Sequence, residues 1–223
     1  MSAPLIEGFR MDKPELRLLF KPELKSPVFV EGLPGLGEVG KLASELLIKF
    51  TNAKLFAELY SPYFLDYIVI DDDGICRLPR YQFYMCSNCN PNLVILTGDL
   101  QPSPEEMVGH YDLASVILDY LEKINCKRVV TLGGYPTQTQ GIGGIYVAAT
   151  SGELAASLAK QGALIYRGRI VGAAGLMLGL AKLRKMDGIC ILGATQGIFP
   201  DRYTAMAVFK FLTRMLGLKQ TGV

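Results

Sequence analysis

The chain has one histidine, His110, and neither a Gly-x-Ser-x-Gly elbow nor a cysteine, serine or acid fixed beside that histidine, so no nucleophile–base set is legible. Charge of one sign is also scarce. The 23 Lys+Arg against 21 Asp+Glu leave a formal charge of +2, too small a field to hold a nucleic-acid backbone. No run reaches the roughly 18 uncharged apolar residues of a membrane span. Met1-Ser2-Ala3-Pro4 is not a basic segment leading into an apolar core. Neither nucleic acid nor membrane is expected as a partner, and a cytoplasmic location is expected. Cys76, Cys86, Cys89, Cys126 and Cys190 lack the spacing of a disulfide framework, so most are expected to be reduced thiols.

What is present is apolar content, 50% over 223 residues, enough to bury the core of one α/β domain. Glycine-rich segments follow several apolar runs: Glu31-Gly32-Leu33-Pro34-Gly35-Leu36-Gly37, Leu132-Gly133-Gly134-Tyr135, Gly172-Ala173-Ala174-Gly175 and Leu192-Gly193-Ala194-Thr195. Residues 1–27 carry Pro4, Pro14, Pro22 and Pro27 and read as a leader or edge segment, with an edge strand at Leu16 to Phe20. Residues 28–223 read as the α/β domain. Val28 to Val30 enters the first glycine-rich turn, and Glu38 to Lys49 places Val39, Leu42, Ala43, Leu46 and Leu47 on one helical face. Ala53 to Leu59, a hairpin across Asp71-Asp72-Asp73-Gly74, and Tyr81 to Cys86 are expected as a subsidiary antiparallel region. Leu93 to Leu96, Lys127 to Leu132 and Ile189 to Leu192 read as buried strands, with Gly133-Gly134 ending the second.

Ser103-Pro104-Glu105-Glu106 predicts a capped helix start running to about Ile124. Strands at Ile145 to Ala149 and Leu164 to Tyr166, and helices at Gly152 to Gln161, Gly172 to Lys185 and Tyr203 to Leu216, complete the reading. Short strands alternating with longer helices predict a three-layer α/β/α sandwich around a mostly parallel sheet.

Gly35 and Gly37 sit where backbone N–H groups at a helix start can receive an anion. The segment is not a phosphate loop, because Gly40 is followed by Lys41-Leu42 without the hydroxyl residue. A structural turn and a ligand cradle both remain open. Glu31, Asp99 and Thr131 lie at strand ends, on the crevice side of an α/β sheet. Gly133, Gly134, Tyr135 and Thr137 join Glu31, Gly35, Gly37 and Asp99 as a candidate crevice for a ligand or partner. Thr137-Gln138-Thr139-Gln140-Gly141 reads as a contact loop. Tyr146, Gly175 and Gly179 are candidate interface residues, the glycines because a four-residue spacing gives a helix a close-approach face. Cys86 and Cys89 have a metal-like spacing without a second ligand pair, so no metal and no cofactor are expected. Ser151 reads as a helix cap.

In order and spacing, Glu31-Gly32-Leu33-Pro34-Gly35 with Gly37, Val39 and Gly40, Leu96-Thr97-Gly98-Asp99-Leu100-Gln101-Pro102, Thr131 to Tyr135, Gly172 to Leu176, and Phe199-Pro200-Asp201 resemble the proteasome assembly chaperone family, particularly its archaeal members. The resemblance spans Val28 to Met215. It implies a three-layer fold similar to nucleoside phosphorylases and peptidyl-tRNA hydrolases, self-association into a homo-oligomer, and binding of proteasome subunits without catalysis. Family members also dock on the 20S particle through a C-terminal hydrophobic–tyrosine–any tail. The sequence ends Leu218-Lys219-Gln220-Thr221-Gly222-Val223, without that tyrosine. Two expectations stay open, a trimmed tail or a member that does not dock in that way. The competing reading is a small-molecule-binding or hydrolytic α/β enzyme using a crevice near Glu31, Asp99 and Gly134.

Overall fold

The computed structural model describes residues 11–137, 144–198 and 200–219. Its strands are β1 (Glu15–Leu18), β2 (Val28–Glu31), β3 (Lys54–Tyr60), β4 (Val69–Ile70), β5 (Cys76–Arg77), β6 (Tyr81–Cys86), β7 (Leu93–Gly98), β8 (Arg128–Pro136), β9 (Ile145–Ala149), β10 (Leu164–Ile165) and β11 (Asp187–Thr195). The helices are α1 (Val39–Thr51), α2 (Met107–Lys123), α3 (Gly152–Lys160), α4 (Ala173–Leu183) and α5 (Arg202–Leu216).

Strand alternation divides the core into two layers. Phe29, Val94, Leu96 and Val129 point to one face of the sheet, where α2 and α4 cover them with Leu113, Ile117, Leu121, Met177 and Ala181. Val28, Val30, Ile95, Val130 and Ile191 point to the other, against Val39, Ala43 and Leu47 of α1, Leu158 of α3, and Val208, Phe211 and Leu212 of α5. The four apolar runs expected at the centre are therefore strands, with helices on both faces.

The main sheet has the order β1-β3-β6-β7-β2-β8-β11-β9-β10. It is mixed, which corrects the expectation of a mostly parallel sheet. β7, β2, β8 and β11 pair in parallel at the centre, as do β9 and β10 at one edge. β1–β3, β3–β6, β6–β7 and β9–β11 are antiparallel. Two strands of the segment expected as subsidiary, β3 and β6, thus belong to the main sheet. Tyr81, Phe83 and Met85 alternate inward on β6, and burying them beneath α2 is more favourable than leaving a separate hairpin in water. Only β4 and β5 stand apart, as a small two-stranded ribbon.

Two local expectations also change. Gly133 and Gly134 do not end β8, which pairs in register with β11 through Thr195↔Pro136. A Cβ at Gly134 would collide with the Leu36 carbonyl oxygen, so the strand continues where only glycine lets the turn before α1 lie on it. Ser103 does not cap α2. Its carbonyl accepts from Glu106 N (2.9 Å) in a separate turn and its hydroxyl bonds the Glu105 carboxylate, so the helix starts at Met107. Ser151 caps α3, accepting from Leu154 N at 3.2 Å. Cys86 and Cys89 are joined by a disulfide, which accounts for their metal-like spacing, while Cys76, Cys126 and Cys190 are free thiols, so most of the five cysteines are reduced as expected.

Candidate functional site

The parallel centre of the sheet brings the carboxyl ends of β2, β8 and β11 to one edge, and a crevice of about 290 Å³ opens there. Glu31, the last residue of β2, is flanked in register by Leu96 and Thr131 and is 1% exposed. Its Oε1 accepts from Leu33 N (3.0 Å), while Oε2 is buried without a hydrogen-bond partner among the described residues. Burial raises its pKa to about 8, against a smaller lowering by the Leu33 N–H. Glu31 is therefore a neutral acid at pH 7, with a proton to donate. Burial likewise raises Tyr81 and pushes the Cys190 thiol up to about 12, and in each the Glu31 charge acts in the same direction.

The turn after β2 is shaped by contacts with backbone. Gly32 O accepts from Ser44 Oγ and Thr97 Oγ1, both at 3.1 Å, and a Cβ at Gly40 would lie 2.5 Å from Leu132 O. Gly37 adopts φ 62°, and its carbonyl accepts from Asp201 N at 2.8 Å. These contacts account for the glycine spacing as close packing of turn, helix and sheet. Gln101 ties the turn to α4: Nε2 donates to Pro34 O (2.6 Å) and Oε1 accepts from Ala173 N (2.9 Å).

Of the residues singled out from sequence, Glu31, Gly35, Gly133, Gly134 and Tyr135 line this one crevice. Asp99 does not. Its carboxylate accepts from Arg77 at 2.6 and 3.0 Å and from Arg80 N at 2.9 Å. Burial opposes its ionisation, but these donors prevail and hold its pKa below the usual carboxylate range. Thr131 donates to Ala174 O (3.1 Å), and Thr137 N to Thr195 O (2.9 Å). Tyr135 packs against Tyr146 in a tilted arrangement at 4.7 Å between ring centroids and edge-on against Tyr166 at 5.5 Å. Gln138 to Gly141 of the expected contact loop lie outside the described residues, as does Phe199. His110 sits on α2 with Nε2 3.2 Å from Ser103 O. No cluster of three or more metal-ligating side chains occurs among the described residues. Sequence reading missed Gln101 as a clamp and Tyr166 and Arg169 as crevice walls. Gln101 carried a signal, a polar side chain three residues past the end of β7.

A second concavity, about 890 Å³, lies between α2 and α4. It is apolar, with Met107, Tyr111, Leu176 and Leu180 on its walls and Gly175 and Gly179 along its floor. Val171 and Leu183, at its rim, are 88% and 80% exposed. Gly175 packs against the Ile170 carbonyl, whereas a Cβ at Gly179 would meet open space.

The model of the PAC2 family matches residues 29–221. The chain belongs to the PAC2 family. An uncharacterised protein of Methanocaldococcus jannaschii, MJ1210, is 36% identical over 196 residues, covering 84% of this chain and 72% of that protein. The PAC2 fold described above superposes on crystal structures of two Pyrococcus furiosus proteins. PbaB, an archaeal proteasome activator, has 37% identity and a TM-score of 0.89, over 94% of this chain and 91% of PbaB. PbaA, an archaeal homolog of proteasome-assembly chaperone, has 28% identity and a TM-score of 0.80, over 93% and 83%. No helix of the described PAC2 chain is long and apolar enough to cross a membrane.

Proposed function

We propose that this chain is a non-enzymatic, self-associating protein of the cytoplasm that binds proteasome subunits and assists their assembly or regulates the assembled particle. The observation that carries this reading is the 37% identity with PbaB over nearly the whole of both chains. The acids support it: Asp99 is held by Arg77 and Arg80 away from Glu31's crevice, so the pair needed for acid–base work is not gathered. The family resemblance carried by the sequence motifs supports grouping the three-layer sandwich with nucleoside phosphorylase-like folds. The groove between α2 and α4 is the surface for a second copy of the chain, because its apolar walls and small-residue floor suit a close, dry contact.

Mixing the purified chain with native archaeal proteasome subunits and measuring the mass of what co-purifies tests this function. A complex containing both supports it. Failure to associate with any proteasome subunit overturns it. For the groove, Val171→Glu with Leu183→Glu places charge on highly exposed positions. Sedimentation should show a lighter species than the parent chain; an unchanged mass sends self-association to another surface.

A further inference from the structure

The crevice at the carboxyl end of the central strands has a chemistry that binding a protein partner does not use. Its floor is Glu31, a neutral acid whose Oε1 is engaged by Leu33 N and whose Oε2 has no described partner. A buried polar atom left unpaired costs about 1–3 kcal/mol, and a bound acceptor would remove that cost. The walls are apolar and aromatic, with Leu132, Leu192, Tyr135 and Tyr166. At the mouth stands Arg169, whose guanidinium forms no ion pair among the described residues. Ala174, in the first turn of the eleven-residue α4, brings the positive end of that helix to the same wall. A peptide segment is too large for about 290 Å³, a volume at the lower end for small-molecule sites.

We propose that this crevice binds a small organic anion with an apolar or aromatic body, its carboxylate at Arg169 and the α4 N-terminus and a carbonyl at its inner end accepting a hydrogen bond from Glu31. The size corresponds to about a dozen non-hydrogen atoms. An ionised Glu31 would repel such a ligand, but burial keeps the group protonated at neutral pH. This is the role of a carboxylic acid held neutral so that it can donate. Ligand binding of this kind goes beyond the proteasome reading and does not depend on it.

Titration of the isotope-labelled full chain at pH 7 by amide NMR tests the proposal with three probes. These are 4-acetylbenzoate, its near-isostere 4-isopropylbenzoate, which lacks the acceptor, and benzylamine, which carries the opposite charge. The expected result is saturable binding of 4-acetylbenzoate with shifts at the Gly133 and Gly134 amides. The isostere should bind at least about tenfold more weakly, the loss of one buried hydrogen bond. Arg169→Ala should weaken both anions, Glu31→Leu should abolish the difference between them, and Glu31→Gln, which keeps a donor, should preserve it. Absence of 4-acetylbenzoate binding, equal binding of the isostere by the parent chain, or preference for benzylamine overturns the proposal. Proteasome binding is measured separately, so either reading can fail alone.

Discussion

Glu31 is hemmed between β7 and β8, with Tyr81 and Cys190 near enough to feel its charge. Its folded pKa of about 8 lies above the ordinary 4.5, so the native state retains a proton that the unfolded chain releases. Stability from this group is complete below about pH 4.5 and is lost as pH rises through about 8. Glu31→Gln removes that dependence. Denaturant unfolding of parent and variant across this window should show the parent losing on the order of 4 kcal/mol relative to the variant. Parallel curves would mean that Glu31 ionises freely in the fold. The cysteines provide a second residue-scale test. Burial pushes Cys126 up to about 11 and Cys190 up to about 12, whereas Cys76 is exposed. Alkylation at pH 8 without reductant should add one group to the native chain and, after unfolding, one to each of the three free thiols. Five additions after unfolding would contradict the Cys86–Cys89 bond.

In α4 two glycines four residues apart have opposite surroundings. Gly175 abuts the Ile170 carbonyl, which a methyl cannot displace without moving backbone, while Gly179 faces the open groove. Gly175→Ala should therefore cost about 1–3 kcal/mol by overpacking. Gly179→Ala should be neutral or stabilise by up to about 1 kcal/mol, because alanine is the better helix former. Thermal unfolding of the two variants decides it, and equal effects would remove the distinction. The spacing was legible in sequence, but which glycine is crowded depends on Ile170, outside the helix. The same limit governed the sheet. Val30, Ile95, Val130 and Ile191 lie in apolar runs that announced the central strands, and the antiparallel direction of β6 was legible too, whereas its membership of the main sheet is settled by pairing with β7. Glycine-rich strand ends located the crevice edge. Its far wall was not legible, since Gln101 reaches Ala173 from 72 positions away and Tyr166 and Arg169 arrive on the loop before α4.

At the scale of the whole molecule, the two concavities meet at Gln101, Ile170 and Val171 but differ in size and character. The α2–α4 groove is wide, apolar and bordered by highly exposed side chains, whereas the strand-end crevice is small and has a buried acid on its floor. The disulfide belongs to the opposite core layer, with α1, α3 and α5, and His110 is held by its contact with Ser103 O at the groove's edge. Cys89→Ser and His110→Ala should consequently retain proteasome-subunit binding within about threefold, a change of under about 1 kcal/mol. Loss of binding in the first would move the contact surface to the disulfide side. The most direct test of the central claim is the mass, by sedimentation at micromolar concentration, of the full chain alone and with archaeal 20S proteasome subunits. The account predicts a species heavier than one chain in the first case and a co-sedimenting complex in the second. A monomer that sediments apart from every proteasome subunit would contradict it.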